Sequence, residues 1–175
     1  MNFGDSVKQA IEIVKLNASA MTKVAADKKA TVMGVLIIVI AGILAAIGVL
    51  NPIGIIMMPI GYLIATFIGI GIIHLLATLF GGKAKFSEFY RTSSHGFILS
   101  WVNLLVFIPV LGQLLISIAG IWELVVCVFA LKNVHKLTTG KAVIVVLIPV
   151  IVIGILVAIA GVTMMAMLFS RGALA

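Results

Sequence analysis

One acidic residue, Glu123, stands inside a long apolar stretch of this 175-residue sequence. A charge near the centre of a bilayer costs a few kcal/mol, so a carboxylate there needs a partner or a proton. Asn103 lies at a comparable distance on the other side of a predicted hairpin at 111–113, from where it could donate a hydrogen bond to Glu123. With His74 and Trp122 these residues are the candidate intramembrane polar site. Two interpretations stay open: a proton or ion relay or polar substrate site, and a polar clasp that fixes helix packing.

Three histidines lie near the predicted ends of apolar helices, and histidine titrates near neutral pH. His74 precedes the end of one apolar stretch, His95 follows the start of the next, and His135 lies in a later polar loop. If all three met at one end of a bundle, they would form a pH-sensitive opening or a weak metal site. The spacing does not require them to meet. We therefore predict separate histidines bonded to backbone or headgroups, and no metal.

Motifs of familiar catalytic mechanisms are absent from the sequence. It contains no Gly-x-Ser-x-Gly nucleophile turn, no His-Glu-x-x-His zinc motif and no phosphate-binding P-loop. The apolar stretches also lack a second carboxylate that would work with Glu123 in acid–base catalysis. The single cysteine, Cys127, excludes an internal disulfide and a cysteine zinc cluster. We therefore predict a protein that is not an enzyme, with no catalytic residues and no cofactor.

The composition places these residues in a membrane protein. Hydrophobic residues make up 63% of the chain, charged residues make up 10%, and the mean hydropathy is +1.37. A soluble domain is about half apolar and a quarter charged, and a small one leaves much of its surface in contact with water. These values exclude a cytosolic enzyme, a disordered tail and a disulfide-stapled secreted domain, and they leave a polytopic membrane protein.

Stretches without Asp, Glu, Lys or Arg define the predicted membrane crossings, because a helix needs roughly 20 apolar residues to cross a bilayer. They cover 30–82, 92–122 and 142–170. Turn signals at Asn51 and around Pro109 divide the first two stretches. The predicted fold class is an all-α transmembrane helical bundle, in a domain over 30–170 that follows a cytoplasmic segment over 1–29. The five crossings are predicted at about 30–50, 56–80, 94–111, 114–131 and 142–169.

The basic residues predict the orientation of this bundle. Eleven of the twelve Lys and Arg residues fall in the N-terminal segment or in the loops after the second and fourth crossings, and Arg171 alone follows the fifth. The positive-inside rule then puts the N-terminus in the cytoplasm and the C-terminus outside. The net charge of +7 is thereby assigned to contact with anionic headgroups. We expect membrane lipids as partners, and no nucleic acid.

Apolar residues of the N-terminal segment recur at helical spacing, at Phe3, Val7, Ile11, Val14, Ala18, Met21 and Ala25. They predict one amphipathic helix, which either lies in the membrane interface or packs on the cytoplasmic ends of the bundle. This helix is also the most obvious surface for a protein partner. A second, short interfacial helix is predicted in the loop at 81–91, where aromatic and basic residues occur together.

Small residues form three stripes along the predicted crossings, Gly42-x3-Ala46, Gly61-x3-Ala65-x3-Gly69 and Gly154-x3-Ala158. Such stripes let helix backbones approach closely. They predict close packing within the bundle or, alternatively, between two copies of the chain, so a homo-oligomer is possible.

Several short motifs follow one another over about 60–155. In chain order they are His74-Leu75-Leu76, Phe80-Gly81-Gly82-Lys83 with Phe86, Ile121-Trp122-Glu123-Leu124, His135, Leu137-Thr138-Thr139-Gly140-Lys141-Ala142 and Pro149. Together they resemble the Yip domain family, whose members are integral membrane proteins with five predicted crossings and a cytoplasmic N-terminus. The motif residues in the two polar loops are treated below as the cytoplasmic loop motif: Gly81, Gly82, Lys83, Phe86, His135 and Lys141.

The resemblance implies a non-enzymatic role in membrane organisation or trafficking, through protein or lipid partners. Eukaryotic members of the family sit in endoplasmic reticulum and Golgi membranes and are linked to Rab-type GTPases, while the prokaryotic members share no assigned activity. The long N-terminal extension of the eukaryotic members is missing here, so Rab binding is not carried over. The resemblance implies the cell (inner) membrane for a prokaryotic chain. The alternative function is a small transporter, channel or lipid-translocating protein that uses Glu123 with Asn103.

Overall fold

The computed structural model describes the backbone of residues 1–172 and the side chains of residues 1–167. Within this part of the chain all regular structure is helical. Seven α-helices and one 3₁₀ helix follow each other as α1 Phe3–Val14, α2 Ala18–Ala26, α3 Ala30–Gly48, α4 Gly54–Leu79, α5 Phe86–Gly96, the 3₁₀ helix Phe97–Phe107, α6 Leu111–Asn133 and α7 Thr139–Gly172.

Four of these helices, α3, α4, α6 and α7, are long and apolar enough to cross a membrane. They coincide with the first, second, fourth and fifth predicted crossings to within a few residues. Length and composition therefore identify an all-helical integral membrane protein. The five crossings and the orientation of the termini remain predictions, since only four helices meet these criteria.

The third predicted crossing, 94–111, differs most from its expected form. It consists of the end of α5, the 11-residue 3₁₀ helix Phe97–Phe107 and an irregular turn in which Val110 has a φ of 64°. A 3₁₀ helix rises about 2.0 Å per residue against about 1.5 Å in an α-helix, so the same eleven residues reach about 22 Å rather than about 16 Å. The 3₁₀ form therefore makes this segment longer than an α-helix of the same eleven residues. It lies along α3 and α6.

The N-terminal segment is two helices rather than the one predicted. The chain breaks at Leu16, whose φ is 65°, and the side chain of Asn17 then caps α2 by accepting hydrogen bonds from the amides of Ser19 and Ala20. The continuous apolar stripe concealed this break, because periodicity reports which residues face inward and not where a helix stops. Both helices pack on the rest of the fold, since Ile13 and apolar residues of α2 are buried in one cluster with Val126 of α6. Phe3 and Ile11 of the predicted stripe are exposed.

The short helix predicted at 81–91 exists as α5, but it is a buried element of the fold. Phe89 is fully buried, and Tyr90 and Arg91 are nearly so. Helix α5 contacts α1, α2, α3, α4 and α6, so it joins the N-terminal helices to the apolar bundle. Phe89, Tyr90 and Arg91 therefore serve internal packing, while Lys83 and Lys85 before the helix are exposed.

Close backbone contact in the bundle occurs at one of the predicted small-residue stripes, Gly42-x3-Ala46 on α3. A Cβ on Gly42 would lie 2.5 Å from the Cα of Pro59, which brings α3 and α4 together. Gly61, Gly69 and Gly154 have no atom within 4 Å of a Cβ position. The stripes on α4 and α7 therefore make no close helix contact among the described residues of the protomer. Beyond Pro149, the residues of α7 from Val150 to Met167 are all exposed in the isolated protomer.

Candidate functional site

An apolar cavity of about 460 Å³ lies among α4, α5, α6 and α7. Its wall is almost entirely hydrocarbon, and its few polar side chains are Tyr62, Thr66, Ser93 and Glu123. The Oγ of Ser93 is buried and has no hydrogen-bond partner among the described residues. A cavity of this size falls within the range of small-molecule sites, which are typically apolar with a few placed polar groups.

Glu123 is held at this cavity by the 3₁₀ helix. Its Oε1 accepts a hydrogen bond of 2.6 Å from the Oγ of Ser100, while no described residue bonds its Oε2. The expected hydrogen bond from Asn103 is wrong: the Nδ2 of Asn103 donates to the phenol oxygen of Tyr62 at 3.0 Å. Because side chains at i and i+3 line up on a 3₁₀ helix, Ser100 and Asn103 lie on one side and bond two different helices, α6 and α4.

Sequence reasoning missed Ser100 and Tyr62 as members of this site. A usable signal existed, because Ser100 and Asn103 are polar residues three apart in an otherwise apolar run. The prediction instead assumed α-helical depth on both sides of the hairpin. The 3₁₀ geometry changes both depth and facing direction, and so it changes which polar residues meet.

Trp122 and His74 lie away from the Glu123 carboxylate. The Nε1 of Trp122 donates to the carbonyl oxygen of Val14 at 2.8 Å and ties the end of α1 to α6. His74 pairs with His135 at the polar end of α4, where the Nδ1 of His74 lies 3.2 Å from the Nε2 of His135. The four residues predicted as one intramembrane polar site therefore contribute to four separate contacts.

The three histidines do not converge. His95 bonds the Oγ of Ser6 and the carbonyl oxygen of Arg91, each at 2.7 Å, apart from the His74–His135 pair. No group of three or more His, Cys, Asp or Glu side chains within the described part of the chain could hold a metal ion. His135 is fully buried, and its Nδ1 has no described partner. Burial and the neighbouring His74 lower the pKa of His135 to about 4.

The cytoplasmic loop motif comes together around His135. The amide of Lys83 donates to the carbonyl oxygen of His135 at 3.0 Å, and the Nζ of Lys141 donates to the carbonyl oxygen of Phe80 at 2.9 Å. A Cβ on Gly82 would lie 2.5 Å from the Nδ1 of His135. Phe86 completes the cluster with its ring centroid 5.5 Å from that of His74. The motif thus fastens the end of α4 to the loop between α6 and α7.

Arg91 makes a second set of contacts between elements, whereas the sequence indicated for it only a role in orientation. Its Nε donates to the Oγ1 of Thr31 at 3.0 Å, and its Nη1 donates to the carbonyl oxygen of Ala25. The neighbouring Thr92 donates its hydroxyl to the carbonyl oxygen of Met21 at 2.9 Å. Two consecutive residues of α5 therefore hold α2 and the start of α3.

These features define a polytopic, all-helical integral membrane protein whose polar loops are hydrogen-bonded and packed together at one end. A model of the Yip1 domain matches residues 17–161. The chain therefore belongs to the Yip1 domain family. Comparison with the curated proteins and with the solved structures gave no match. The matched range includes the loop motif, the His74–His135 pair and every residue that lines the cavity.

Proposed function

We propose that this protein organises membranes in a trafficking-type role, without catalysis, through protein or lipid partners at one face of the bundle. This basic face comprises α1, α2, the link from α2 to α3, the loop between α4 and α5, the loop between α6 and α7, and the first residues of α7. Nine lysines are exposed on it: Lys8, Lys15, Lys23, Lys28, Lys29, Lys83, Lys85, Lys136 and Lys141. The single observation that carries the proposal is that these lysines belong to helices and loops fastened to one another, so the face is a fixed surface.

A fixed basic surface next to apolar spans suits two kinds of partner. Anionic lipid headgroups attract clustered lysines at about 1 kcal/mol per residue near the surface. An acidic segment of a protein would be attracted by the same charges, and a preformed face loses little entropy on binding it. Membership in the Yip1 domain family favours such a role over chemistry on a substrate.

We infer that the chain crosses the membrane five times with the basic face in the cytoplasm. The inference needs a third pass through the end of α5 and the 3₁₀ helix. Gly34 packs against Ser94, and a Cβ on Gly48 would lie 2.5 Å from the carbonyl oxygen of Asn103, so this segment runs beside α3 in the same direction. Its length of about 22 Å is shorter than a bilayer core of about 30 Å, and the last turn of α5 adds about 5 Å to it. The membrane is the cell (inner) membrane in a prokaryote and the endoplasmic reticulum or Golgi in a eukaryote.

Site-specific photocrosslinking in native membranes tests the role of the basic face. A photoreactive residue at Lys8 or Lys23 is expected to give reproducible adducts with a protein or with anionic lipid. The matched control is the same residue at Leu50, which is 81% exposed at the opposite end of α3. The absence of adducts from the basic face, with the N-terminal helices shown to be intact, would contradict the proposal.

Glu123 in its cavity favours a second candidate function, a small transporter, channel or lipid-translocating protein. A carboxylate oxygen without a described partner, next to an apolar cavity, is an arrangement found at intramembrane transport sites. Flux in proteoliposomes separates the candidates. Loss of flux in Glu123→Gln with an unchanged fold would support transport, while wild-type vesicles that show no proton, ion or lipid movement at any pH would exclude it.

A further inference from the structure

The cavity beside Glu123 has a property that membrane organisation does not use. Its wall combines a large hydrocarbon surface with one carboxylate, and the aromatic side chains Tyr62, Phe89 and Phe97 contribute to that wall. No Lys, Arg or His belongs to the lining. The only hydrogen bond to the carboxylate among the described residues comes from a neutral hydroxyl, that of Ser100.

The carboxylate therefore has no positive partner in the part of the chain that the structure describes. Removing an ionised carboxylate from water is costly unless a cation compensates it. Both described ion pairs lie on the N-terminal segment, between Met1 and Asp27 and between Lys15 and Glu12. No described residue of the bundle forms an ion pair with Glu123. A ligand that carries its own positive charge would complete the site.

We propose that this cavity binds a hydrophobic monocation, a molecule with an apolar body and a single positive charge. The apolar body fills the hydrocarbon space between α4 and α7, and the charge lies against the free Oε2 of Glu123. The aromatic rings in the wall add cation–π attraction, which strengthens when the cation is desolvated.

The same features exclude the other classes of small amphiphile. A hydrophobic anion would bring a second negative charge to Glu123 with no basic side chain in the lining to offset it. A neutral acyl chain would fill the apolar space but leave the carboxylate unpaired. With Glu123 ionised, a hydrophobic cation satisfies both parts of the wall.

Equilibrium dialysis of the purified full chain in a neutral detergent tests the proposal directly. The probes are tetraphenylphosphonium and tetraphenylborate, which share size and shape and carry opposite charges, with protein-free micelles as the reference. Saturable binding of about one tetraphenylphosphonium per chain is expected, with no saturable binding of tetraphenylborate. Equal binding of the two ions, or no binding of the cation, would overturn the proposal without reference to any partner at the basic face.

Two variants locate the binding in the cavity. Glu123→Gln keeps the shape of the side chain and removes its charge, so tetraphenylphosphonium affinity should fall by at least about tenfold. Gly120→Leu keeps the charge and fills the cavity, because Gly120 lines it and has no atom within 4 Å of its Cβ position. This variant should also weaken binding of the cation.

Each variant has a matched control elsewhere in the chain. Glu12→Gln removes a carboxylate from the exposed side of α1, and Gly154→Leu adds the same side chain to α7 at another open position outside the lining. Both controls should bind tetraphenylphosphonium as the wild type does. Unchanged affinity in Glu123→Gln or in Gly120→Leu, with a normal elution profile, would contradict the assignment of the cation to this cavity. The wild-type comparison of the two ions decides the matter if either variant fails to fold.

Discussion

Gly82 occupies a position where a side chain would collide with two groups at once. A Cβ there would lie 2.5 Å from the Nδ1 of His135 and 2.7 Å from the carbonyl oxygen of Ala77. Neither group is free to move, because His135 is fully buried and Ala77 belongs to α4. The sequence placed this glycine only in the cytoplasmic loop motif, and the contact with His135 gives it a structural role that only the fold reveals.

Gly82→Ala is therefore expected to destabilise the protein by about 1–3 kcal/mol, the usual cost of overpacking a filled interior. Thermal unfolding in detergent measures the change. Gly71→Ala is the matched control in α4, where nothing lies within 4 Å of the added Cβ and alanine favours a helix over glycine. Equal unfolding temperatures for Gly82→Ala and the wild type would show that the loop opens without cost.

His135 makes stability depend on pH. Its pKa is lowered to about 4 by burial and by His74, while the unfolded chain has the ordinary value of about 6.5. The unfolded state therefore binds more protons between these values, and its share of the population rises as pH falls from about 6.5 to about 4. Nearby Glu88 opposes this shift in pKa.

The apparent unfolding temperature should accordingly drop between pH 7 and pH 4.5 by more in the wild type than in His135→Asn, which cannot titrate. The difference between the two proteins isolates His135 from the carboxylates that titrate in the same range. Identical pH profiles would mean that the imidazole stays neutral in both states.

At the scale of elements, α5 decides how the N-terminal helices are held. Arg91 and Thr92 bond the carbonyl oxygens of α2, and Ser6 of α1 bonds His95. How the N-terminal helices are held depends on these polar contacts, which join residues more than 60 positions apart in the chain.

The predicted apolar stripe of the N-terminal segment is buried in α2, at Met21 and Ala25. In α1 the prediction is wrong, because Phe3 and Ile11 of the stripe are exposed. The buried residues of α1 are Ser6, Ala10 and Ile13.

Arg91→Gln should loosen α2 without unfolding the apolar bundle. Amide hydrogen exchange over Ala18–Ala26 is expected to accelerate by about tenfold or more, since a hydrogen bond to a charged group contributes about 1.5–3 kcal/mol. Lys28→Gln removes a positive charge from an exposed side chain nearby and should leave that exchange unchanged. Protection of α2 that survives Arg91→Gln would assign its position to apolar packing alone.

At the scale of the whole molecule, the number of passes determines where the C-terminus lies. An odd number of crossings puts the two termini on opposite sides, and the proposed third pass is a 3₁₀ segment that the criteria of length and hydropathy do not select. A reporter fused after Ala175 should read outside, and one fused before Met1 should read cytoplasmic. A cytoplasmic reading after Ala175 would leave four crossings and a 3₁₀ helix that enters and returns on one side.

By itself, the sequence determined the class of the protein and its four long apolar helices through the charge-free stretches and the turn residues. The short motifs determined the resemblance to a family. The class and the helices follow from solvent preference and local chain stiffness, which are properties of neighbouring residues. Only the tertiary structure decided that 97–107 is a 3₁₀ helix, that Ser100 rather than Asn103 bonds Glu123, and that His135 is buried against His74. Each of these depends on contacts between segments distant in sequence. The direction in which a side chain faces across such a contact changes when a 3₁₀ helix replaces an α-helix.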